Sequence, residues 1–261
     1  MYSIKEYVIA TTLEEAYNLN QKKTNRIIAG NMWLRLGNAN IVNAIDLSKL
    51  GLNKIEENDE EFQLGCMVSL RQMELDEKLN DYTKNALRDC VKDIVGTQFR
   101  NSATVGGSIW GRFGFSDVLT CMLAMDTEVE LYKAGRISLA DFVNMKPDND
   151  ILVKVIIKKN DGKANYQALR NTATDFPVIA CCAVKKSDGW SFSIGAKPTK
   201  AVRYTASLED IQNNMDGTLD DILEKITFGT NTRASKEYRK AMAKVLLKRA
   251  IKNIETDGQE V

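Results

Sequence analysis

Apolar runs and alternating positions predict a series of strands in the first half of the chain. They cover residues 6–10, 26–29, 41–47, 54–57, 61–66, 128–132 and 151–157, and the strands at 54–57 and 61–66 resemble a hairpin. Helical spacing predicts helices from Thr12, from Ser69 and over residues 116–125. The first two begin with capping boxes, Thr12 with Glu15 and Ser69 with Gln72. This half is therefore predicted to be an α+β unit.

The second half of the chain changes to strands followed by helices. Strands are expected over residues 164–170, 178–184 and 190–194, and helices over residues 207–213, 219–226 and 235–253. Such an order is typical of an antiparallel sheet backed by helices. The fold class is thus α+β in two domains, residues 1–160 and 161–261, with a boundary near residue 160.

The charge balance excludes several classes of function. Lys plus Arg (36) and Asp plus Glu (35) leave a net charge of +1, and the chain has no histidine. Nucleic acids and anionic membranes usually require a basic excess, so neither is expected as a partner. Catalytic pairs or triads that contain histidine, and metal sites with imidazole ligands, are impossible within this chain.

The cysteines and the N-terminus indicate a cytoplasmic protein. Five cysteines form an odd set with no C-x-x-C spacing, which favours buried intracellular thiols over a disulfide framework or a metal cluster. Charged residues at positions 5 and 6 leave no signal peptide, and no apolar stretch is long enough for membrane insertion.

The first candidate site is the apolar strand that stops at Gly30 and restarts in a segment expected to be helical. Glycine and asparagine tolerate positive φ, so Gly30 and Asn31 could aim backbone N–H groups at a phosphate. The alternative is an ordinary turn between a strand and a helix, and on this segment alone that alternative is favoured.

The second candidate site lies in residues 100–117. Residues 102–114 contain four glycines, and the adjacent pair Gly106 and Gly107 is flanked by the hydroxyls of Thr104 and Ser108, a chemistry suited to a pyrophosphate. Neither G-x-G-x-x-G nor G-x-x-x-x-G-K-[ST] is present, so Rossmann and P-loop sites have no support. A glycine-rich hairpin remains the alternative.

Taken together, these segments resemble a known family. Ala29–Gly30, Arg100–Asn101, the run from Thr104 to Ile109, and Asp117 leading to Leu131 occur in the order found in the FAD-binding medium subunit of the molybdenum hydroxylases. That family includes the flavin subunits of xanthine dehydrogenase and carbon monoxide dehydrogenase. The segments at 175–178 and 235–250 resemble its later motifs, so the resemblance covers most of the chain.

The resemblance implies that FAD lies between two subdomains of the first domain, divided near residue 55, with its pyrophosphate at the two glycine segments. Asp117 would accept a hydrogen bond from a sugar or ribityl hydroxyl. Leu152 would pack on the ring, and Arg170 and Asp175 would lie at its edge, although a core leucine and a surface ion pair are equally good explanations. The full set of cofactor-binding residues is Ala29, Gly30, Asn31, Met32, Trp33, Thr104, Gly106, Gly107, Ser108, Gly111, Ser116, Asp117, Leu152, Arg170 and Asp175.

The chain departs from the family pattern at both glycine segments. The first usually reads Ala-Gly-Gly followed by Thr or Ser, where this chain has Asn31 and Met32. The second usually has Asn at the position of Ser108, and residues 112–114 also differ. Asn31 can adopt the left-handed conformation of a glycine, whereas Met32 cannot replace a hydroxyl donor.

The function that the resemblance implies is that of an electron-transferring subunit. Electrons from a molybdopterin-binding large subunit would pass through the [2Fe-2S] clusters of a small subunit to FAD, and then to NAD or another acceptor. Two alternatives stay open: a structural subunit with weak or lost FAD binding, and a free-standing flavin oxidoreductase.

Two further patterns have less to do with the site. Lysines recur every four residues from Lys236 to Lys248, which predicts a solvated helix face, with docking to a partner subunit as the alternative. Cys181 and Cys182 are adjacent in an apolar strand, so they are expected to be core residues that point to opposite faces.

Overall fold

The structure is a computed structural model that describes residues 2–256. Its strands are β1 (Ser3–Ile9), β2 (Arg26–Ile28), β3 (Asn40–Asp46), β4 (Ile55–Glu57), β5 (Glu61–Gly65), β6 (Thr127–Leu131), β7 (Gly135–Ser138), β8 (Leu152–Lys158), β9 (Lys163–Arg170), β10 (Pro177–Lys186), β11 (Gly189–Gly195) and β12 (Val202–Ala206). Its helices are α1 (Leu13–Asn20), α2 (Leu70–Leu75), α3 (Glu77–Tyr82), α4 (Ala86–Lys92), α5 (Thr97–Ser102), α6 (Val105–Trp110), α7 (Asp117–Ala124), α8 (Leu139–Asn144), α9 (Leu208–Glu224) and α10 (Lys236–Thr256).

The chain forms two compact units, and neither is continuous in sequence. Unit 1 comprises Met1–Met73, Thr97–Gly111 and Thr127–Ile157, and unit 2 comprises Glu74–Gly96, Arg112–Asp126 and Lys158–Val261. The last change of unit lies close to the boundary expected near residue 160. However, α3, α4 and α7 belong to unit 2, because α4 packs on β9 and α7 packs on β10 and β11. The domain bounds 1–160 and 161–261 therefore stay a prediction.

Unit 1 contains two sheets. The first is parallel, with strand order β1-β3-β2, and Ile28, Ile41 and Ala44 form a small apolar core on it. The second has the order β4-β5-β8-β6-β7, with the apolar β8 in its centre. The hairpin expected from residues 54–57 and 61–66 is confirmed as β4 and β5.

Short helices replace two expected features of the first half. The helical pattern after Ser69 is divided into α2, α3 and α4, although the capping box of Ser69 and Gln72 forms as expected. Residues 102–114, expected to be a loop or hairpin, contain the end of α5 and all of α6. The side chain of Thr104 accepts a hydrogen bond from the Gly107 N–H at 3.1 Å, and this N-cap stabilises a helix whose first turn contains two glycines.

Unit 2 is an antiparallel sheet with strand order β12-β11-β10-β9. One face packs on α9 and α10 around a large apolar core that includes Phe192 and Leu247. On β10, Cys181 Sγ lies 3.9 Å from the carbonyl oxygen of Ala243 in α10, whereas Cys182 contacts Cys121 of α7. The expectation that these cysteines are core residues on opposite faces is confirmed. The sheet thus has helices on both faces.

The lysine stripe of α10 is paired within unit 2. Lys240 lies 2.6 Å from Glu224, Lys244 lies 2.7 Å from Asp220, and Lys248 lies 3.0 Å from Asp216. All three acids belong to α9, so the stripe is one side of an ion-pair ladder between two helices. Within residues 2–256, no helix has the length and apolarity needed to cross a membrane.

Candidate functional site

The first glycine segment follows directly after β2. Asn31 has φ 55, so the expectation that it takes a glycine-like, left-handed conformation is confirmed. Its carbonyl oxygen accepts a hydrogen bond from the Arg35 N–H at 3.1 Å. The prediction of a helix after Gly30 is wrong: only a 3-10 turn at Leu34–Leu36 forms, and the extended Gly37 ends it before β3 begins at Asn40. Trp33 is 39% exposed on this turn.

Gly30 brings the two glycine segments together within unit 1. A Cβ built on Gly30 would overlap the carbonyl group of Ser102 and lie 3.0 Å from the backbone nitrogen of Ala103. Only a glycine permits this approach of backbone to backbone. The structure therefore places Gly30 beside Ser102 and Ala103 of the second segment.

The second glycine segment is anchored through its backbone. The N–H groups of Val105 and Gly106 donate to the carbonyl oxygens of Val68 and Cys66 at 2.8 and 2.9 Å. A Cβ on Gly106 would lie 2.5 Å from the Cys66 oxygen, so this glycine permits α6 to pack on β5. These N–H groups already have acceptors, so they are not available to a ligand. The Thr104 hydroxyl, in contrast, has a proton that it can donate.

Gly107 differs from Gly106, because it is exposed. A Cβ on Gly107 would meet only the Thr104 side-chain oxygen, at 3.3 Å. A ligand could therefore approach the α6 backbone at Gly107. Ser108 donates its hydroxyl to the Thr104 carbonyl oxygen at 3.0 Å, and Gly111 is the exposed residue that follows α6.

We expect Gly107→Val to preserve the fold and to weaken FAD binding about tenfold, because the new side chain occupies the surface that the cofactor would approach. Flavin titration and circular dichroism would measure the two effects. Gly106→Ala is the matched comparison: it should destabilise unit 1, because its methyl group meets the Cys66 carbonyl. Unchanged flavin affinity in a folded Gly107→Val variant would remove α6 from the site.

In unit 2, Asp117 is the centre of a buried network. It is 5% exposed, and its Oδ1 accepts hydrogen bonds from the Tyr166 hydroxyl and from Arg170 Nη2, the latter at 2.7 Å. Burial raises the pKa of the Asp117 carboxyl, while Arg170 and Tyr166 oppose that change. Burial and the charge of Asp117 raise the pKa of Tyr166, so this phenol stays a donor. No motif in the sequence marks Tyr166 as a site residue.

Asp175 connects this network to an aromatic group. Its carbonyl oxygen accepts from Arg170 at 2.6 Å, and its carboxylate lies 2.9 Å from Arg233, which lowers the pKa of that carboxyl. Arg233 also stacks over Phe176, with 4.9 Å to the ring centre. Phe115 contacts Phe176 edge to face at 4.7 Å between ring centres. Arg233 was also missed, because nothing local in the sequence marks it.

The remaining expected site residues are divided between the two units. Ser116 caps α7 and accepts from the Leu119 N–H at 3.1 Å. Leu152 is a buried residue of β8, in unit 1. The structure thus gathers residues 29–33 and 104–111 in unit 1, and Ser116, Asp117, Arg170 and Asp175 in unit 2. Their roles toward a cofactor stay predictions.

The residues of each unit fit a flavin dinucleotide. In unit 1, the close approach at Gly30 joins the two glycine segments, Gly107 is exposed, and the Thr104 hydroxyl retains a proton that it can donate to a phosphate oxygen. In unit 2, the buried Arg170 Nε has no hydrogen-bond partner among the residues described, and an oxygen or nitrogen of a ligand would satisfy it. Met32 is the misfit, since a thioether donates no hydrogen bond.

Comparison with known proteins identifies the family. A family model described as the FAD binding domain in molybdopterin dehydrogenase matches residues 2–159. The xanthine dehydrogenase FAD-binding subunit of Escherichia coli O157:H7 is 24% identical over 284 residues, with 96% of each chain covered.

Solved structures show the same fold. CO dehydrogenase from Oligotropha carboxidovorans matches with a TM-score of 0.85 at 18% identity, with 97% of this chain and 98% of that chain covered. Quinoline 2-oxidoreductase from Pseudomonas putida 86 matches with a TM-score of 0.82 at 16% identity, with 98% of each chain covered. The expected α+β fold and the family resemblance are thus confirmed. Because the family model covers more than half of the sequence, the chain belongs to the FAD-binding domains of the molybdopterin dehydrogenases, an oxidoreductase family, and its cofactor is FAD.

Proposed function

We propose that the chain is the flavoprotein subunit of a molybdenum hydroxylase complex. It would receive electrons from the [2Fe-2S] clusters of a partner subunit, which a molybdopterin-binding large subunit supplies, and pass them to NAD or another acceptor. FAD supplies the redox chemistry when it is bound. The observation that carries this proposal is the contact of Gly30 with Ser102, which joins the two glycine segments in one surface.

The chain's own residues would bind and orient the cofactor. Gly30 and Asn31 set the path of the backbone at the pyrophosphate, and the Thr104 hydroxyl has a proton to donate. Asp117 and Arg170 form a buried ion pair, which fixes the positions of both side chains. A cofactor group bound at this pair would therefore have a fixed geometry. A fixed environment is what a protein contributes to a cofactor's redox potential.

The cysteines support a partner subunit as the holder of iron–sulfur clusters. All five are buried, and burial raises the pKa of Cys66 to about 12. Burial raises the pKa values of Cys90, Cys121 and Cys181 as well. Because thiolates are the ligands of such clusters, thiols that resist ionisation are poor candidates to bind one.

The test is a reconstitution with purified chain, FAD and copurifying subunits. We expect an equimolar flavin complex whose reduced form is reoxidised by NAD or another acceptor, and no turnover of an organic substrate by the isolated chain. Absence of flavin binding would favour the structural-subunit alternative. Turnover of an organic substrate by the isolated chain would favour a free-standing oxidoreductase.

We expect Met32→Thr to increase FAD affinity about fivefold, because one restored hydroxyl contributes roughly 1 kcal/mol. Calorimetric titration with FAD would measure this gain. Asn31→Val should have the opposite effect, since a β-branched residue disfavours the observed φ of 55. If neither the wild type nor Met32→Thr binds FAD, the site is vestigial and the structural-subunit alternative replaces the electron-transfer proposal.

A further inference from the structure

Two loops of unit 2 are joined through their backbones. The first is residues 112–116, before α7, and the second is residues 196–200, between β11 and β12. The N–H of Ala196 donates to the Gly114 carbonyl oxygen at 2.6 Å. A Cβ built on Gly114 would lie 2.3 Å from the Thr199 carbonyl oxygen, so only a glycine permits this contact. The contact fixes the backbone of the first loop against the second.

Phe113, in the first loop, is the outer ring of an aromatic stack. Its ring lies 5.2 Å from that of Phe115, measured between ring centres, with 7° between the ring planes. Phe115 contacts Phe176 edge to face, so the stack is anchored inside unit 2. Phe113 itself is 36% exposed. A ring that is held by its backbone and by a second ring is a surface on which a planar ligand can stack without first ordering the protein.

Lys197, in the second loop, is a buried cation with one partner. The residue is 4% exposed, and its ammonium group donates a hydrogen bond to the Thr199 hydroxyl. Within residues 2–256 it forms no other hydrogen bond and no ion pair. Burial lowers the pKa of Lys197, and no carboxylate of the described residues acts against this change. Since Thr199 is exposed, the ammonium group lies just below the surface, where a ligand could reach it.

The charges around the second loop leave a positive excess. Arg239 donates to the Ala196 carbonyl oxygen at 2.7 Å, and burial and the neighbouring Arg233 lower the pKa of its guanidinium. Arg233 is itself paired with Asp175 at 2.9 Å, which accounts for that carboxylate. Neither Lys197 nor Arg239 has a carboxylate partner in the part of the chain that the structure describes. A buried charge without a counter-charge is unfavourable, so a ligand with negative charge at Lys197 would stabilise this loop.

We propose that the two loops bind the flavin ring of FAD, with the ring stacked on Phe113 and its pyrimidine edge at the Lys197 ammonium group. A flavin ring has apolar faces and a polar edge, which match an aromatic surface and a cation. Residues 112–114 differ from the family pattern, so the resemblance does not assign Phe113 to the site. The inference rests on the proposed function, and it names the residues that position the ring.

In this arrangement Lys197 also influences the potential of the bound flavin. In the proposed function, the [2Fe-2S] clusters of the partner subunit supply two electrons, and with one proton from solvent the ring then carries one negative charge. A cation at the pyrimidine edge stabilises this reduced form more than the neutral oxidised form, so it raises the two-electron potential. Phe113 has no charge and contributes to affinity instead.

The first test is calorimetric titration of the full chain with FAD and with ADP, which has the pyrophosphate but no flavin ring. We expect Phe113→Leu to weaken FAD binding about tenfold and to leave ADP binding unchanged, because only FAD loses a stacking partner. Tyr238→Leu is the matched control, since it removes another exposed ring of unit 2 and should change neither affinity.

The second test is redox potentiometry of the FAD-bound chain with Lys197→Met. Loss of the charge should make the preference for reduced over oxidised FAD about tenfold smaller, which lowers the two-electron potential by about 30 mV. Lys225→Met removes the same charge from an exposed place in unit 2 and should leave the potential unchanged. Without FAD, Lys197→Met should melt at or above the wild-type temperature, because the uncompensated buried charge is gone. A purely structural role for Lys197 would give a lower melting temperature.

Three results would each overturn the inference while the wild type still binds FAD. They are an unchanged FAD affinity in Phe113→Leu, an equal loss of ADP affinity in that variant, and an unchanged potential in Lys197→Met. In those cases the proposed function stands, with its ring at other residues. A wild-type chain that binds no FAD would instead overturn the proposed function together with this inference.

Discussion

Gly30→Ala is expected to abolish FAD binding and to destabilise unit 1. The added methyl group overlaps the backbone carbonyl of Ser102, and no flexible side chain can move to make room. Overpacking of this kind costs about 3 kcal/mol, and the segments would have to separate. Because the pyrophosphate surface that we propose depends on their contact, FAD affinity should fall by at least about a hundredfold. Denaturant unfolding and flavin titration would measure the two losses.

Gly37→Ala is the control, since it makes the same chemical change at the end of the same loop. Gly37 has φ −88, and an added Cβ would lie 3.4 Å from the Leu34 carbonyl oxygen, which is ordinary contact. The variant should unfold at nearly the wild-type denaturant concentration and should keep FAD. If Gly30→Ala retains FAD as well as Gly37→Ala does, the two glycine segments do not form the flavin site.

Features with a local cause were predicted well from the sequence. The hairpin of β4 and β5, the capping box of Ser69 and Gln72 and the buried β8 each depend on a few neighbouring residues. The left-handed Asn31 belongs to this group, because asparagine has its own tolerance of positive φ.

The helical state of residues 102–110 could not be predicted in this way. Gly106 and Gly107 lower helix propensity, so the sequence indicates a phosphate-binding segment or a hairpin here and not a helix. What stabilises α6 is a cap from Thr104 and backbone bonds to Cys66 and Val68, residues far away in sequence. Tertiary contacts therefore outweigh the local helix propensity. Gly106 permits close packing on Cys66, whereas Gly107 lies on the exposed side of the helix.

The lysine stripe shows the limit of periodicity. A spacing of four residues predicts one face of α10, and that face exists. The sequence analysis offered two interpretations, a solvated face and a docking surface. Neither predicts that the lysines form ion pairs with acidic residues of α9. Periodicity describes the face of one helix, whereas the identity of the facing helix depends on the tertiary fold.

The network around Asp117 also depends on residues far apart in sequence. Asp117 and Arg170 were each expected to contact the cofactor, but the sequence contained no sign that they contact each other at 2.7 Å. Their side chains are 6% and 8% exposed, so the pair is buried. A buried charge without its partner is much less stable than either the pair or an apolar replacement.

Asp117→Asn is therefore expected to destabilise unit 2 by about 3–5 kcal/mol, because it leaves the Arg170 guanidinium buried without a counter-charge. Chemical denaturation would measure the loss. Arg233→Met is the matched control: the pair of Arg233 with Asp175 is partly exposed, so its removal should change stability only slightly. A loss in Asp117→Asn as small as the loss in Arg233→Met would contradict the role of the buried pair.

The double variant Asp117→Leu/Arg170→Met separates the structural role of this pair from a role in flavin binding. It removes both charges, so it should recover much of the stability that Asp117→Asn loses. If Asp117 also accepts a hydrogen bond from a flavin hydroxyl, the double variant should bind FAD about tenfold more weakly even where it is fully folded. Recovery of stability together with wild-type FAD affinity would instead assign Asp117 and Arg170 to the core of unit 2 alone. A flavin role for Asp117 therefore requires that FAD affinity stay low after stability has been recovered.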